Sequence, residues 1–186
     1  MDFEAALAGA RSGDERAWEH IYDWLAPSVL GFCRARGADD PDDVVGEVFL
    51  QVVRDIRRFT GTEPDFRSWV FTIAHHRLMD DFRKRKRRPS TVGEEALAVR
   101  AGGDVAEEAL QRMSDEEIKR AISSLTIDQR DVLLLRIVGE LGVTEIARIL
   151  GKRPGAVQAL QRRGLEALRK EISPEGVSFR PRDALK

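Results

Sequence analysis

Residues 141–171, LGVTEIARILGKRPGAVQALQRRGLEALRKE, concentrate the side chains best suited to recognition chemistry. Ile146, Ala147 and Leu150 recur at helical spacing, and Gly151 stands where a helix C-cap would. Lys152-Arg153-Pro154 supplies a turn, and Pro154 carries the fixed φ suited to a first helical turn. The next segment places Ala156, Val157, Leu160, Leu165 and Leu168 inward and Gln158, Gln161, Arg162 and Arg163 outward. Arg, Lys and Gln pair with base edges in the major groove. The spacing therefore predicts a helix-turn-helix whose second helix reads DNA. The plainer alternative is an αα-hairpin with a solvated basic face.

Three further clusters invite chemical readings. Residues 83–88, RKRKRR, put six cations side by side. They repel one another unless a polyanion neutralises them, which favours phosphate contact. His75-His76 with Asp80 could set two ligands on one helical face. There is no third ligand in the pattern and no HExxH motif, so no metal is expected. Asp80 and Asp81 are adjacent, and adjacent helical side chains project about 100° apart, so they do not face each other as an acid–base pair. No Gly-rich phosphate loop and no GxSxG nucleophile motif is present. The expectation is a protein without catalytic residues or cofactors, not an enzyme.

Helices must position these residues, and the chain reads as almost wholly helical. A first helix is expected over about Asp2–Arg11 and a second over Glu15–Arg36, bent at Pro27. The second would bury Trp18, Ile21, Tyr22, Leu25, Val29 and Phe32 along one face. A third helix starts near Asp39–Asp42 and ends near Phe59, with Val45, Val48, Phe49, Val52, Val53 and Ile56 as its apolar stripe. A fourth runs from Pro64 into the basic run, burying Phe66, Trp69, Val70, Ile73, Leu78 and Phe82. Residues 89–113 are the linker candidate, acidic and without aromatics. A second helical unit, 114–172, opens with a Ser114/Glu117 capping box and contains a helix over Asp128–Val138 before the helix-turn-helix. Residues 173–186 form a short polar tail.

The whole-chain charge of −1 conceals segregation. Residues 1–82 carry a net −7, residues 83–88 +6, residues 89–117 −6 and residues 118–186 +6. Two basic zones between acidic stretches suggest nucleic-acid contact at two places and protein contact elsewhere. No run approaches the ~20 apolar residues of a membrane span. The N-terminus lacks the basic and apolar regions of a secretory signal. A single cysteine, Cys33, fits a reducing cytosol. The expected fold class is all-α: two small helical domains joined by a flexible linker, the second containing the helix-turn-helix.

Four segments in order resemble a known family. AALAGARSGDERAWEHIYDWLAP, DDPDDVVGEVFLQVVRDIRRF, FRSWVFTIAHHRLMDDFRKRKR and LTIDQRDVLLLRIVGELGVTEIARILGKRPGAVQALQRRGLEALRK together resemble the extracytoplasmic-function (ECF) RNA polymerase sigma factors of bacteria. The resemblance implies a region 2 domain over 1–88 that docks on core polymerase and melts the −10 element. It implies a region 4 domain over 114–172 that reads the −35 element, with 89–113 as linker. Core docking falls to Asp42, Asp43, Glu47 and Gln51, facing the clamp coiled coil of the largest polymerase subunit. The −10 set is Trp69, His75, His76, Arg77, Arg83 and Lys84, with Phe71 as a further base platform. The loop Phe59–Asp65 is the family's pocket for an extruded base. The −35 set is Arg153, Gln158, Gln161 and Arg162 at base edges and Thr144, Lys152 and Arg163 at phosphates. Arg136 would meet the polymerase flap. The implied setting is cytoplasmic, without membrane insertion, with promoter DNA, core polymerase and an anti-sigma factor as partners.

Departures from the pattern bear on specificity. Gly46 stands where the docking helix usually carries Gln, His75 where Arg is frequent, and His76 where many relatives carry Asn. Gln158 and Gln161 stand where Lys and His or Arg are common. The rival reading is a stand-alone dimeric helix-turn-helix regulator, which would leave residues 1–88 without a role.

Overall fold

A computed structural model describes residues 1–87 and 121–172, and among them every regular element is helical. The first unit comprises α1 (Phe3–Ser12), α2 (Glu15–Arg36), α3 (Pro41–Asp55), a 3₁₀ turn (Ile56–Arg58) and α4 (Glu63–Arg87). The second comprises α5 (Ile127–Ile137), α6 (Val143–Leu150) and α7 (Pro154–Ile172). The Ser114/Glu117 capping box and the 89–113 linker lie outside the described residues.

Local chemistry sets the boundaries. Asp2, Asp14 and Asp40 each accept a backbone N–H at the start of α1, α2 and α3. Gly13 and Gly37 take left-handed conformations, φ 87° and 86°, that stop α1 and α2. Pro27 lies inside α2 without ending it. The third helix passes into the 3₁₀ turn, and Arg11 of α1 closes this end by donating to the Phe59 carbonyl at 2.5 Å. At the start of α5, Thr126 and Gln129 form a reciprocal capping box.

The stripe on α3 is rotated from the expected one. Val44, Val45, Val48, Phe49, Val52 and Ile56 are buried, whereas Val53 is 49% exposed. Tyr22, expected inside, is 48% exposed. Conversely Phe71, expected as an outward base platform, is fully buried against Phe32 at 5.7 Å between ring centroids. The reason is enclosure: α4 packs on both α2 and α3, so its buried face is wider than a single stripe.

The two units share one continuous core rather than two separate ones. Helix α5 packs against α2, and α6 against α4. Arg36 at the end of α2 pairs with Asp131 of α5, both side chains nearly sealed from water at 5% and 6% exposure. Arg67 of α4 pairs with Glu140, after α5, at 2.9 Å.

Two adjacent valines test the rotated stripe. Val52→Ala should lower stability by roughly 2 kcal/mol, through lost burial and the cavity left behind. Val53→Ala should stay within about 0.5 kcal/mol, as surface substitutions do. Urea unfolding of both variants checks this; equal losses would contradict the observed phase of α3.

Candidate nucleic-acid and polymerase interfaces

The helix-turn-helix forms as expected, except that Ala156, expected inward, is exposed at the start of α7. Gly151, φ 62°, ends α6, and the Lys152 N–H donates to the Ala147 carbonyl at 2.9 Å. Pro154 opens α7, and the Arg153 carbonyl accepts from Ala156 at 2.9 Å and Val157 at 3.2 Å. Val157 and Leu160 are buried with Ile146 and Ala147 of α6. Close approach of α7 to α5 needs Gly164: a Cβ there would lie 2.8 Å from Leu133 Cδ1.

This packing turns one face of α7 to solvent. Arg153, Gln158, Arg162 and Arg163 are exposed, Gln161 is half-buried, and Thr144 is exposed at the start of α6. Among the described residues, no carboxylate pairs with Arg153 or Arg162. The Arg163 Nε donates to the Ala159 carbonyl at 3.3 Å. Lys152 differs from the rest, since its ammonium donates to Asp128 at 2.8 Å and is held at the start of α5. Arg136 is exposed, with one guanidinium nitrogen on the Leu141 carbonyl at 2.9 Å.

The basic end of α4 is less free. Arg77 donates to Gln51 at 2.7 Å and lies 3.7 Å from Glu47. Lys84 lies 4.0 Å from the same carboxylate. Two residues expected at the polymerase face, Glu47 and Gln51, thus meet two expected at DNA. Asp42 lies apart, 3.5 Å from Arg34, and Asp43 is exposed in the first turn of α3. Arg83 pairs with Asp80 at 2.8 Å.

The aromatic residues separate similarly. Trp69 is half-buried and stacks on Phe59, 5.2 Å apart with 27° between planes, while Phe59 meets Phe66 edge-on at 5.1 Å. This anchors one end of the Phe59–Asp65 loop. At the other end, Asp65 accepts from the Thr62 hydroxyl at 2.7 Å and its N–H at 2.9 Å. Those bonds hold the Asp65 carboxyl below its ordinary range. His76 is exposed, whereas His75 is half-buried. Burial first, and the Arg36 charge next, push His75 down to about 4, so its ring is neutral at pH 7. Burial pushes the Cys33 thiol up to about 12, which leaves it unreactive at neutral pH. No group of three or more metal-ligating side chains gathers among the described residues.

One surface went unanticipated in the sequence. Trp18, Tyr22, Phe49 and Val53 line a groove of about 330 Å³ between α2 and α3, rimmed by Glu15, Glu19 and Asp23. A second groove of about 540 Å³ continues it through Tyr22 and Asp23 to Pro27, Val45 and Gly46. Leu50, 57% exposed, adds a further apolar side chain on α3. The signal was present: VFLQVV holds more apolar residues than one stripe can bury.

Two family models match in order, Sigma-70 region 2 over residues 21–88 and Sigma-70, region 4 over residues 115–168. The chain is 30% identical over 181 residues to the ECF RNA polymerase sigma factor SigD of Mycobacterium tuberculosis (strain H37Rv), covering 93% of this chain and 85% of that one. It is 31% identical over 162 residues to the ECF RNA polymerase sigma factor BldN of Streptomyces coelicolor, covering 86% of this chain but 61% of BldN. In fold it resembles RpoE of Bartonella quintana, solved with the anti-sigma factor NepR, at TM-score 0.68 and 19% identity over 83% of this chain and 95% of that one. No described helix is long and apolar enough to cross a membrane. The chain belongs to the ECF RNA polymerase sigma factors.

Proposed function

We propose that this chain binds core RNA polymerase and directs it to promoters, reading the −35 element with α7 and the −10 element with the α4 surface. The observation that carries the reading is the outward face of α7, where Arg153 and Arg162 stand exposed beside Gln158 on a helix locked by buried Val157 and Leu160. Arg favours guanine and Gln favours adenine at base edges. Nucleotide addition belongs to the polymerase, so this chain contributes addressing and strand opening, not catalysis. The setting is the cytoplasm, and an anti-sigma protein is the expected inhibitor.

Docking uses two chemistries together. The α2–α3 groove offers Tyr22, Phe49, Leu50 and Val53 as apolar contacts. Asp42 and Asp43 add charge at the end of α3, while Glu47 and Gln51 tie the docking helix to Arg77. A polymerase helix with apolar and basic side chains fits this surface. On the DNA side, exposed His76 replaces the Asn common in relatives and sets the −10 preference.

Run-off transcription with purified core polymerase tests the reading. The chain should confer initiation at specific promoter fragments, and scrambling the −35 element should abolish it; initiation indifferent to that scrambling would overturn the reading. Arg162→Ala should cost about 1–3 kcal/mol of discrimination at its base pair. In the same polymerase-dependent assay, Arg163→Ala should lower the salt slope by about one without changing sequence preference. Val53→Asp should weaken co-purification with core polymerase while the melting temperature holds; unchanged binding would remove the groove from the docking face. His76→Asn should shift −10 selection in a randomised promoter pool, and an unchanged profile would dissociate His76 from base reading.

A further inference from the structure

The Phe59–Asp65 loop is tied at both ends, and its entry is tied by a helix distant in the chain. Helix α3 runs out in the 3₁₀ turn Ile56–Arg58, so the carbonyls there lack the partners a continuing helix would supply. Arg11 of α1 supplies donors instead. Its Nη2 donates to the Phe59 carbonyl at 2.5 Å and its Nε to the Ile56 carbonyl at 3.5 Å. At the exit, Asp65 accepts from the Thr62 N–H and hydroxyl, and the Thr62 carbonyl accepts from the Phe66 N–H at 2.9 Å. Between these ties lie Thr60 and Gly61. Gly61 takes φ 149°, and a Cβ there would lie 2.8 Å from the Asp65 Cβ.

Helix α1 is a firm base for the entry tie. Ala6, Leu7 and Ala10 are buried, and Gly9 passes α2 so closely that a Cβ would lie 2.7 Å from the Ala17 Cβ. Phe3, at the other end of α1, meets Phe66 at 5.6 Å and Trp24 at 6.2 Å between ring centroids. Phe66 in turn meets Phe59 and Trp69. Thus α1 reaches the loop entry twice, through a cation on its backbone and through the rings packed around Phe59. Arg11 is half-buried, and among the described residues no carboxylate pairs with it. The match to Sigma-70 region 2 begins at residue 21, so α1 lies before it.

Resting on the sigma-factor reading above, we propose that Arg11 is a positioning residue for base selection at the −10 element. It acts through the Ile56 and Phe59 carbonyls, fixing where the loop begins and how Phe59 stacks on Trp69. An unstacked base then meets a pocket already in shape. A pocket held in its binding geometry carries little ordering cost and discriminates between bases, whereas a loosened one binds more weakly and less selectively.

The test uses holoenzyme assembled from core polymerase and the full-length chain. Its ligands are single-stranded non-template oligonucleotides spanning the −10 element, with an abasic site at each position in turn. Wild type should lose affinity most steeply where the captured base is missing. Arg11→Met keeps the aliphatic stem and removes the donors. It should bind the intact oligonucleotide about ten-fold less tightly, the scale of one hydrogen bond from a charged group. It should also lose its sensitivity at that one position while the penalties elsewhere stay. Arg11→Lys, which keeps a charged donor, should fall between the two. Hydrogen exchange should quicken at residues 59–62 of Arg11→Met and hold in α2 and α4. Co-purification with core polymerase should hold too, since Arg11 lines neither groove. Circular dichroism checks folding, and Arg11→Lys serves alone if Arg11→Met does not fold. A wild-type abasic profile in either folded variant would overturn the proposal. So would equal weakening at every position with a lowered melting temperature, which marks a brace for the whole fold. If the wild-type holoenzyme has no sensitive position, the −10 reading itself fails; if it has one and the variants match it, only the role of Arg11 fails.

Discussion

Burial of short helices against longer neighbours is the constraint on which every candidate surface depends. Isolated helices below about 12–15 residues are marginal in water. Helix α6 has eight residues and α5 eleven, so neither holds its shape without packing. Ile146, Val132, Leu135 and Val157 are fully buried, and they fix α7 against both helices. The outward cations of α7 are therefore displayed by a rigid support. The same holds on α4, where Phe66, Phe71 and Leu78 are sealed while His76 and Arg83 face outward.

Charge then divides the labour. Arg153, just before α7, and Arg162 on it have no carboxylate partner among the described residues, so a contact with DNA would break no ion pair. On α4, Arg77 is engaged with Gln51 and Glu47. The docking face and the DNA face proposed above thus meet at these side chains.

Much of this was legible in the sequence because it is local. Capping aspartates, Gly37 and Gly151 mark helix ends within a few residues of themselves, and the helix-turn-helix declares itself by spacing. What was missed depends on partners distant in the chain. Phe71 is buried because α2 and α4 meet at Phe32, and no periodicity along α4 reports that. Val53 and Tyr22 face out because α3 has more apolar residues than its neighbours can cover. The Thr126–Gln129 cap escaped because its pattern begins two residues ahead of the expected helix start at Asp128. The two expected domains are matched in order, but the Arg36–Asp131 pair that joins them links distant segments and leaves no local trace.

The departures at Gly46, His75 and His76 acquire physical meaning in the fold. A Cβ at Gly46 would meet nothing within 4 Å, so the glycine leaves open space along the α2–α3 groove and a longer side chain would fit. His75 and His76 diverge, one turned to the joint between units and the other to solvent. Of the two, only His76 is exposed.

The central claim is that this chain brings core polymerase to a promoter and opens the DNA there. Permanganate probing of thymines around the −10 element tests it most directly. With core polymerase and this chain together, those thymines should become reactive on promoter fragments and stay protected when either component is omitted. Duplex that remains unreactive with both present, or reactivity produced by core polymerase alone, would contradict the account.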